Sequence, residues 1–129
     1  MNLSVDRFGN GPALVFCHGL FGSKDNLRSI ANVLSSSYTC YLIDFRNHGF
    51  SFHDEHHSYL HLAEDIHKVI VTHSIKSPTF IGHSMGGKSV LTYESIYQSS
   101  DKIILLDILP TTYKASHSFI FKALSKISL

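Results

Sequence analysis

The sequence has few of the features that mark a secreted or membrane protein. It holds two cysteines, Cys17 and Cys40, both within apolar runs. This placement favours buried, reduced thiols over a disulfide or a metal pair. No apolar run approaches the roughly 20 residues that cross a membrane, and the N-terminus, MNLSVDRFGNGP, lacks the apolar core of a signal peptide. We therefore expect a cytoplasmic protein without a membrane span.

The sequence also lacks an excess of charge of either sign. Eleven Lys+Arg residues stand against ten Asp+Glu residues, for a formal net charge of +1. Such a balance argues against nucleic acid or an acidic membrane surface as the main partner. The length of 129 residues and the hydrophobic content of 43% are those of one globular domain. Ten histidines are the one compositional excess.

Short apolar runs alternate with helical patterns after a weakly alternating first strand over 3–8. A continuous apolar run is typical of a strand that is covered on both faces, as parallel sheets require. Such strands are predicted over 13–17, 38–45, 78–83 and 102–109, and helices over 25–34, 58–70, 86–98 and 112–129. This order predicts an α/β fold, with a mostly parallel sheet and helices on both of its faces.

The segment Gly82-His83-Ser84-Met85-Gly86 lies between a predicted strand and a predicted helix. A serine on such a sharp turn exposes its hydroxyl at the helix N-terminus, where negative charge is stabilised. The residues two before and two after it must be small, because strand and helix backbones pass close together there. An ordinary glycine-rich turn with Ser84 as N-cap is the alternative. The flanking strand and helix favour a nucleophile.

A second segment, His18-Gly19-Leu20-Phe21-Gly22, directly follows the first buried strand. An enzyme that transfers acyl groups must stabilise an oxyanion, commonly with two backbone N–H groups. Met85, after the serine, would supply one of them. Leu20 is our first choice for the other, and Phe21 the second, with His18 and Gly19 supporting the turn. A His-Gly pair alone could be merely a turn, but beside the serine motif it predicts an oxyanion hole.

Four segments in order, HGLFGSKDNL, DFRNHGFS, GHSMGGK and LLDILP, resemble signatures of the α/β-hydrolase superfamily. More narrowly, they resemble the YbfF-type bacterial esterases, relatives of the mitochondrial abhydrolase-domain proteins. The resemblance implies hydrolysis of small-molecule carboxylic esters or thioesters through an acyl-serine intermediate, without metal or cofactor. It also implies that 1–112 is the N-terminal core of the domain and that 113–129 begins a helical cap, so that only the N-terminal part of the family is matched.

The resemblance further implies that Asp107, within LLDILP, is the acid that orients the base histidine. A strand-end residue capping the turn before Pro110 is the alternative. The family's base lies on a loop after the last strand, beyond residue 129. Only His117 follows Asp107 in chain order, and we expect it near substrate rather than near the Ser84 hydroxyl. No base is identified, so we expect little or no turnover from this chain.

A group of histidines between the predicted strand over 38–45 and the following helix suggests a metal site as an alternative. The group consists of His53, His56, His57 and His61. Two of them, His57 and His61, are four residues apart and could share a helix face. The group lacks a third ligand at fixed spacing, and the resembled family uses no metal. We therefore predict a solvated loop entering a helix, and no metal.

Two interpretations other than an active enzyme stay open. From Tyr113 onward the chain has three lysines, no acidic residue and an apolar helical face. This tail is a cap helix by resemblance, or a helix that lies on a membrane surface. An exposed cap helix and an open sheet edge could make the chain a non-catalytic module that self-associates. The chain could also be a gene remnant that folds poorly by itself.

Overall fold

The computed structural model describes residues 2–106 of the chain. Its strands are β1 (Val5–Gly9), β2 (Ala13–Cys17), β3 (Thr39–Ile43), β4 (Thr79–His83) and β5 (Lys102–Leu106). Its α-helices are α1 (Arg28–Leu34), α2 (Tyr59–Thr72) and α3 (Met85–Tyr97). The predicted tail helix, the boundary at 112/113 and the predicted roles of Asp107 and His117 lie outside the described residues.

The strands form one sheet in the order β1-β3-β2-β4-β5. β1 runs antiparallel to β3, and every other pair is parallel. The prediction of a mostly parallel sheet is therefore confirmed. Because parallel strands end at a common edge, the segments that follow β2, β3 and β4 meet there. These segments contain the HGLFG, RNHG and serine motifs.

Both faces of the sheet are covered by helices. In β2, Val15 and Cys17 pack into one core cluster with residues of α2 and α3, whereas Leu14 and Phe16 pack into a second cluster with residues of α1. All four side chains are at most 1% exposed. The continuous apolar run at 13–17 thus encodes a strand that is buried on both sides.

The helix predicted over 25–34 differs from the observed structure in its first turn. A 3-10 turn spans Lys24–Leu27, and α1 begins only at Arg28. Ser23 caps the turn, with its N–H donating to Asn26 Oδ1 at 2.6 Å. The Lys24 N–H donates to the carboxylate of Asp44 at 2.7 Å. This bond ties the turn to the segment after β3.

No helix within residues 2–106 combines the length and the apolar character that crossing a membrane requires.

Candidate active site

Ser84 occupies a sharp, strained turn between β4 and α3. Its backbone has φ 52° and ψ −113°, a conformation that residues with a side chain rarely adopt. The Ser84 N–H donates to the Leu106 carbonyl of β5 at 3.0 Å, which ties the turn to the sheet. The Ser84 hydroxyl makes no capping bond to α3, although an ordinary N-cap would require one.

Two glycines allow this turn to form. A Cβ added at Gly86 would lie 2.1 Å from the Cys17 carbonyl oxygen, and one at Gly82 would lie 2.6 Å from the Cα of Gly87. Both contacts are with backbone, which cannot move aside cheaply. The close passage of strand and helix that the motif predicted is therefore present.

His18 joins the loop after β2 to the loop after β3. The Phe45 N–H donates to His18 Nε2 at 3.1 Å, so Nδ1 carries the proton and donates to the Gly19 carbonyl at 2.7 Å. Burial lowers the pKa of His18, which keeps the ring neutral. A Cβ at Gly19 would lie 3.0 Å from Nδ1 of His83, so the supporting residues of the two motifs lie close together.

His48 holds the neighbouring part of the same loop. The Phe21 N–H donates to His48 Nε2 at 3.1 Å, and His48 Nδ1 donates to the Arg46 carbonyl at 2.8 Å. The Phe21 amide is therefore already occupied. Among residues 2–106, by contrast, no acceptor takes the N–H of Leu20.

Asp44 and Asp65 anchor the loop that follows β3. The fully buried Asp44 carboxylate accepts the N–H groups of Lys24 and Phe50 at 2.7 and 3.0 Å. Asp65, from α2, forms a bidentate ion pair with Arg46, at 2.9 Å to Nε and 2.7 Å to Nη2. The carboxylate of Asp65 raises the pKa of Arg46. The loop after β3 is therefore held by buried charges in addition to the bonds of His18 and His48.

The nucleophile candidate and both first-choice oxyanion candidates line one cavity of about 310 Å³. Its walls include Ser84, Leu20 and Met85, with Tyr59 and Leu62 contributed by α2. The sheet edge thus brings residues of two separate motifs and of α2 together at one concave site.

A family model described as the alpha/beta hydrolase fold matches residues 12–125. The chain belongs to this family. The α/β-hydrolase is 38% identical over 121 residues to Esterase YbfF of Escherichia coli, covering 92% of this chain and 48% of that protein. It is 41% identical over 97 residues to the sn-1-specific diacylglycerol lipase ABHD11 of Xenopus tropicalis, covering 71% of this chain and 30% of that one.

Among solved structures, a marine microorganism esterase matches with a TM-score of 0.81 and 39% identity, covering 95% of this α/β-hydrolase and 50% of that chain. The fold and the resemblance to YbfF-type esterases that the sequence predicted are therefore confirmed. The chain spans at most about half the length of these relatives.

Several residues that line the Ser84 cavity are not predicted at this site from the sequence. They are His57, Ser58, Tyr59, Leu62 and Lys88. The sequence contains a signal for the two α2 residues. The predicted helix follows the loop at the carboxyl end of β3, and Tyr59 and Leu62 are three residues apart and so share one helix face. Lys88 likewise follows Ser84 by one helical turn.

The histidines of the possible metal group make different kinds of contact in this α/β-hydrolase. His61 Nδ1 lies 2.7 Å from the Ser58 hydroxyl and its ring stacks on His56, whereas His57 Nδ1 contacts the Asn47 amide. Within the part of the chain that the structure describes, no group of three or more His, Cys, Asp or Glu residues is arranged to hold a metal ion.

Proposed function

We propose that this α/β-hydrolase is a serine ester hydrolase acting on small-molecule carboxylic esters or thioesters. The Ser84 hydroxyl attacks the ester carbonyl carbon, and the alcohol or thiol leaves from an acyl-serine intermediate that water then hydrolyses. The observation that carries this proposal is that Ser84, Leu20 and Met85 line the same cavity at the carboxyl edge of the sheet.

The N–H groups of Leu20 and Met85 form the proposed oxyanion hole. Met85 is the first residue of α3, so its N–H belongs to the turn that has no acceptor within the helix. The helix dipole adds a partial positive charge at the same point. Leu20 is favoured over Phe21 because His48 already accepts the Phe21 N–H. Two such donors stabilise the charge that develops on the carbonyl oxygen.

Asp107 is the proposed acid of the triad and directly follows β5 in sequence. No general base is assigned within residues 2–106. Both ring nitrogens of His18 are engaged by backbone groups, as are both of His48. An enzyme from which one triad member is removed retains about 10³–10⁴-fold catalysis over water, so the absence of a base would slow turnover rather than abolish it.

The relatives support an ester substrate with an apolar portion. Their names include esterase and diacylglycerol lipase. The cavity beside Ser84 is bordered by the apolar side chains of Leu20, Leu62 and Met85, which suit an alkyl or acyl chain.

Labelling with an alkyl fluorophosphonate tests the nucleophile without requiring turnover. Ser84 Oγ attacks phosphorus, the P–F bond breaks, fluoride leaves and the serine proton passes to solvent. We expect one adduct by intact mass, located on Ser84 by peptide mapping and absent from Ser84→Ala. Ser95→Ala, which removes an exposed serine of the same helix, should label like the wild type. A wild-type protein that gains no adduct, or gains it elsewhere, would overturn the proposal.

A further inference from the structure

His57 stands on the wall shared by two cavities. The cavity of about 310 Å³ contains Ser84, and a second one of about 380 Å³ is lined by Asn47 and His48. Only His57 and Leu20 border both among the described lining residues. A ligand that reaches from Ser84 into the second cavity therefore passes beside Leu20 and His57.

Hydrogen bonds within the loop determine which ring nitrogen of His57 carries the proton. The Asp54 N–H can only donate, so the Asn47 side-chain atom 2.8 Å from it is the amide oxygen. The Asn47 amide nitrogen then donates to the Asp54 carbonyl at 2.9 Å and to His57 Nδ1 at 3.2 Å. Since His57 Nδ1 accepts a hydrogen bond, the neutral ring carries its proton on Nε2.

His57 is therefore a hydrogen-bond donor toward its surroundings. Partial desolvation lowers the pKa of His57, and the nearby His48 and Arg46 lower it further. The lowered pKa favours the neutral ring at pH 7. His57 is exposed, and its Nε2 makes no hydrogen bond to another group within residues 2–106. A protonated Nε2 cannot take the Ser84 proton, because a general base needs a free lone pair there.

We propose that His57 Nε2–H binds an oxygen of the substrate other than the scissile carbonyl oxygen. This inference rests on the proposed function, in which the Leu20 and Met85 N–H groups hold the carbonyl oxygen. The substrate class is then an ester with a second oxygen acceptor, such as an ether, a hydroxyl or another ester, a few atoms from the reacting carbon. Its oxygen-bearing part extends past His57 toward the cavity lined by Asn47 and His48.

Nuclear magnetic resonance tests the donor state directly. A long-range proton–nitrogen spectrum of the histidine rings separates the two neutral tautomers, and His57→Gln assigns the signal. We expect the Nε2–H form at pH 7.5. An Nδ1–H ring would overturn the inference and leave the proposed function untouched.

Two fluorophosphonates of equal length, one with an alkyl tail and one with an ether oxygen in the tail, test the selectivity. A neutral hydrogen bond of ordinary strength gives about a threefold to tenfold preference in labelling rate for the ether reagent. The ratio of the two labelling rates is the readout, and the His57→Leu protein should lose this preference. The His57→Gln protein should retain it, because the Gln amide nitrogen replaces Nε2–H. His53→Leu, in the same loop but outside both cavities, is the matched control.

The possible results separate the two proposals. If Ser84 reacts with both reagents and the rate ratio is the same in wild type and His57→Leu, the role of His57 is wrong and the nucleophile stands. If neither reagent modifies Ser84, the proposed function fails and the inference about His57 fails with it.

Discussion

At the scale of single residues, the turn that carries Ser84 depends on the absence of side chains. A Cβ at Gly86 would lie 2.1 Å from the Cys17 carbonyl oxygen, and Cys17 belongs to a strand paired on both sides. We expect Gly86→Ala to lower the free energy of unfolding by about 3 kcal/mol, because neither backbone can retreat. Urea denaturation followed by circular dichroism measures this loss.

Ser95→Ala provides the control for the Gly86 variant. Ser95 lies exposed on the same helix, so its substitution should change stability by less than about 0.5 kcal/mol. If Gly86→Ala changed the free energy of unfolding as little as Ser95→Ala does, the close contact of strand and helix would not constrain the turn.

At the scale of elements, a buried ion pair joins α2 to the loop after β3. The Arg46 and Asp65 side chains are 4% and 0% exposed and bind in bidentate fashion. We expect Asp65→Asn to cost about 3–5 kcal/mol of stability, since it leaves the Arg46 guanidinium buried without its counter-charge. The double variant Arg46→Met, Asp65→Leu should lose less, because it buries no unpaired charge.

An exposed ion pair serves as the control for the loss of stability at the buried pair. Asp25 pairs with Arg28 while its side chain is 65% exposed, so Asp25→Asn should cost less than about 1 kcal/mol. Equal losses for Asp25→Asn and Asp65→Asn in urea denaturation would mean that the buried pair does not anchor α2.

The elements show which features could be predicted from sequence. β2 could be predicted because its run of apolar residues is local, and the Ser84 turn because its steric requirement spans only Gly82 to Gly86. The bond from Phe21 to His48 joins loops 27 residues apart, and no periodicity encodes such a pairing. The role inferred for His57 likewise depends on its contact with Asn47, ten residues away, which a list of histidines does not reveal.

At the scale of the whole molecule, the sheet divides the core into two clusters. Cys17 belongs to the cluster beneath α2 and α3, and Cys40 to the cluster beneath α1. Both clusters include residues of β2, β3 and β4, so neither helix layer can lose its packing without exposing strands that the other layer needs. The fold should therefore unfold as one cooperative unit rather than layer by layer.

The two cysteines, the only ones in the chain, test this cooperativity as natural reporters. Burial raises the pKa of the Cys40 thiol to about 11 and raises that of Cys17 as well, so both are unreactive when folded. Cys17→Ala leaves Cys40 as the reporter of the α1 face, and Cys40→Ala leaves Cys17 as the reporter of the opposite face. We expect the urea midpoint for thiol labelling in each variant to coincide with that variant's midpoint by circular dichroism. If one thiol became reactive well before the circular dichroism changed, the two faces would be separate units and the chain would fold only in part, as the gene-remnant interpretation requires.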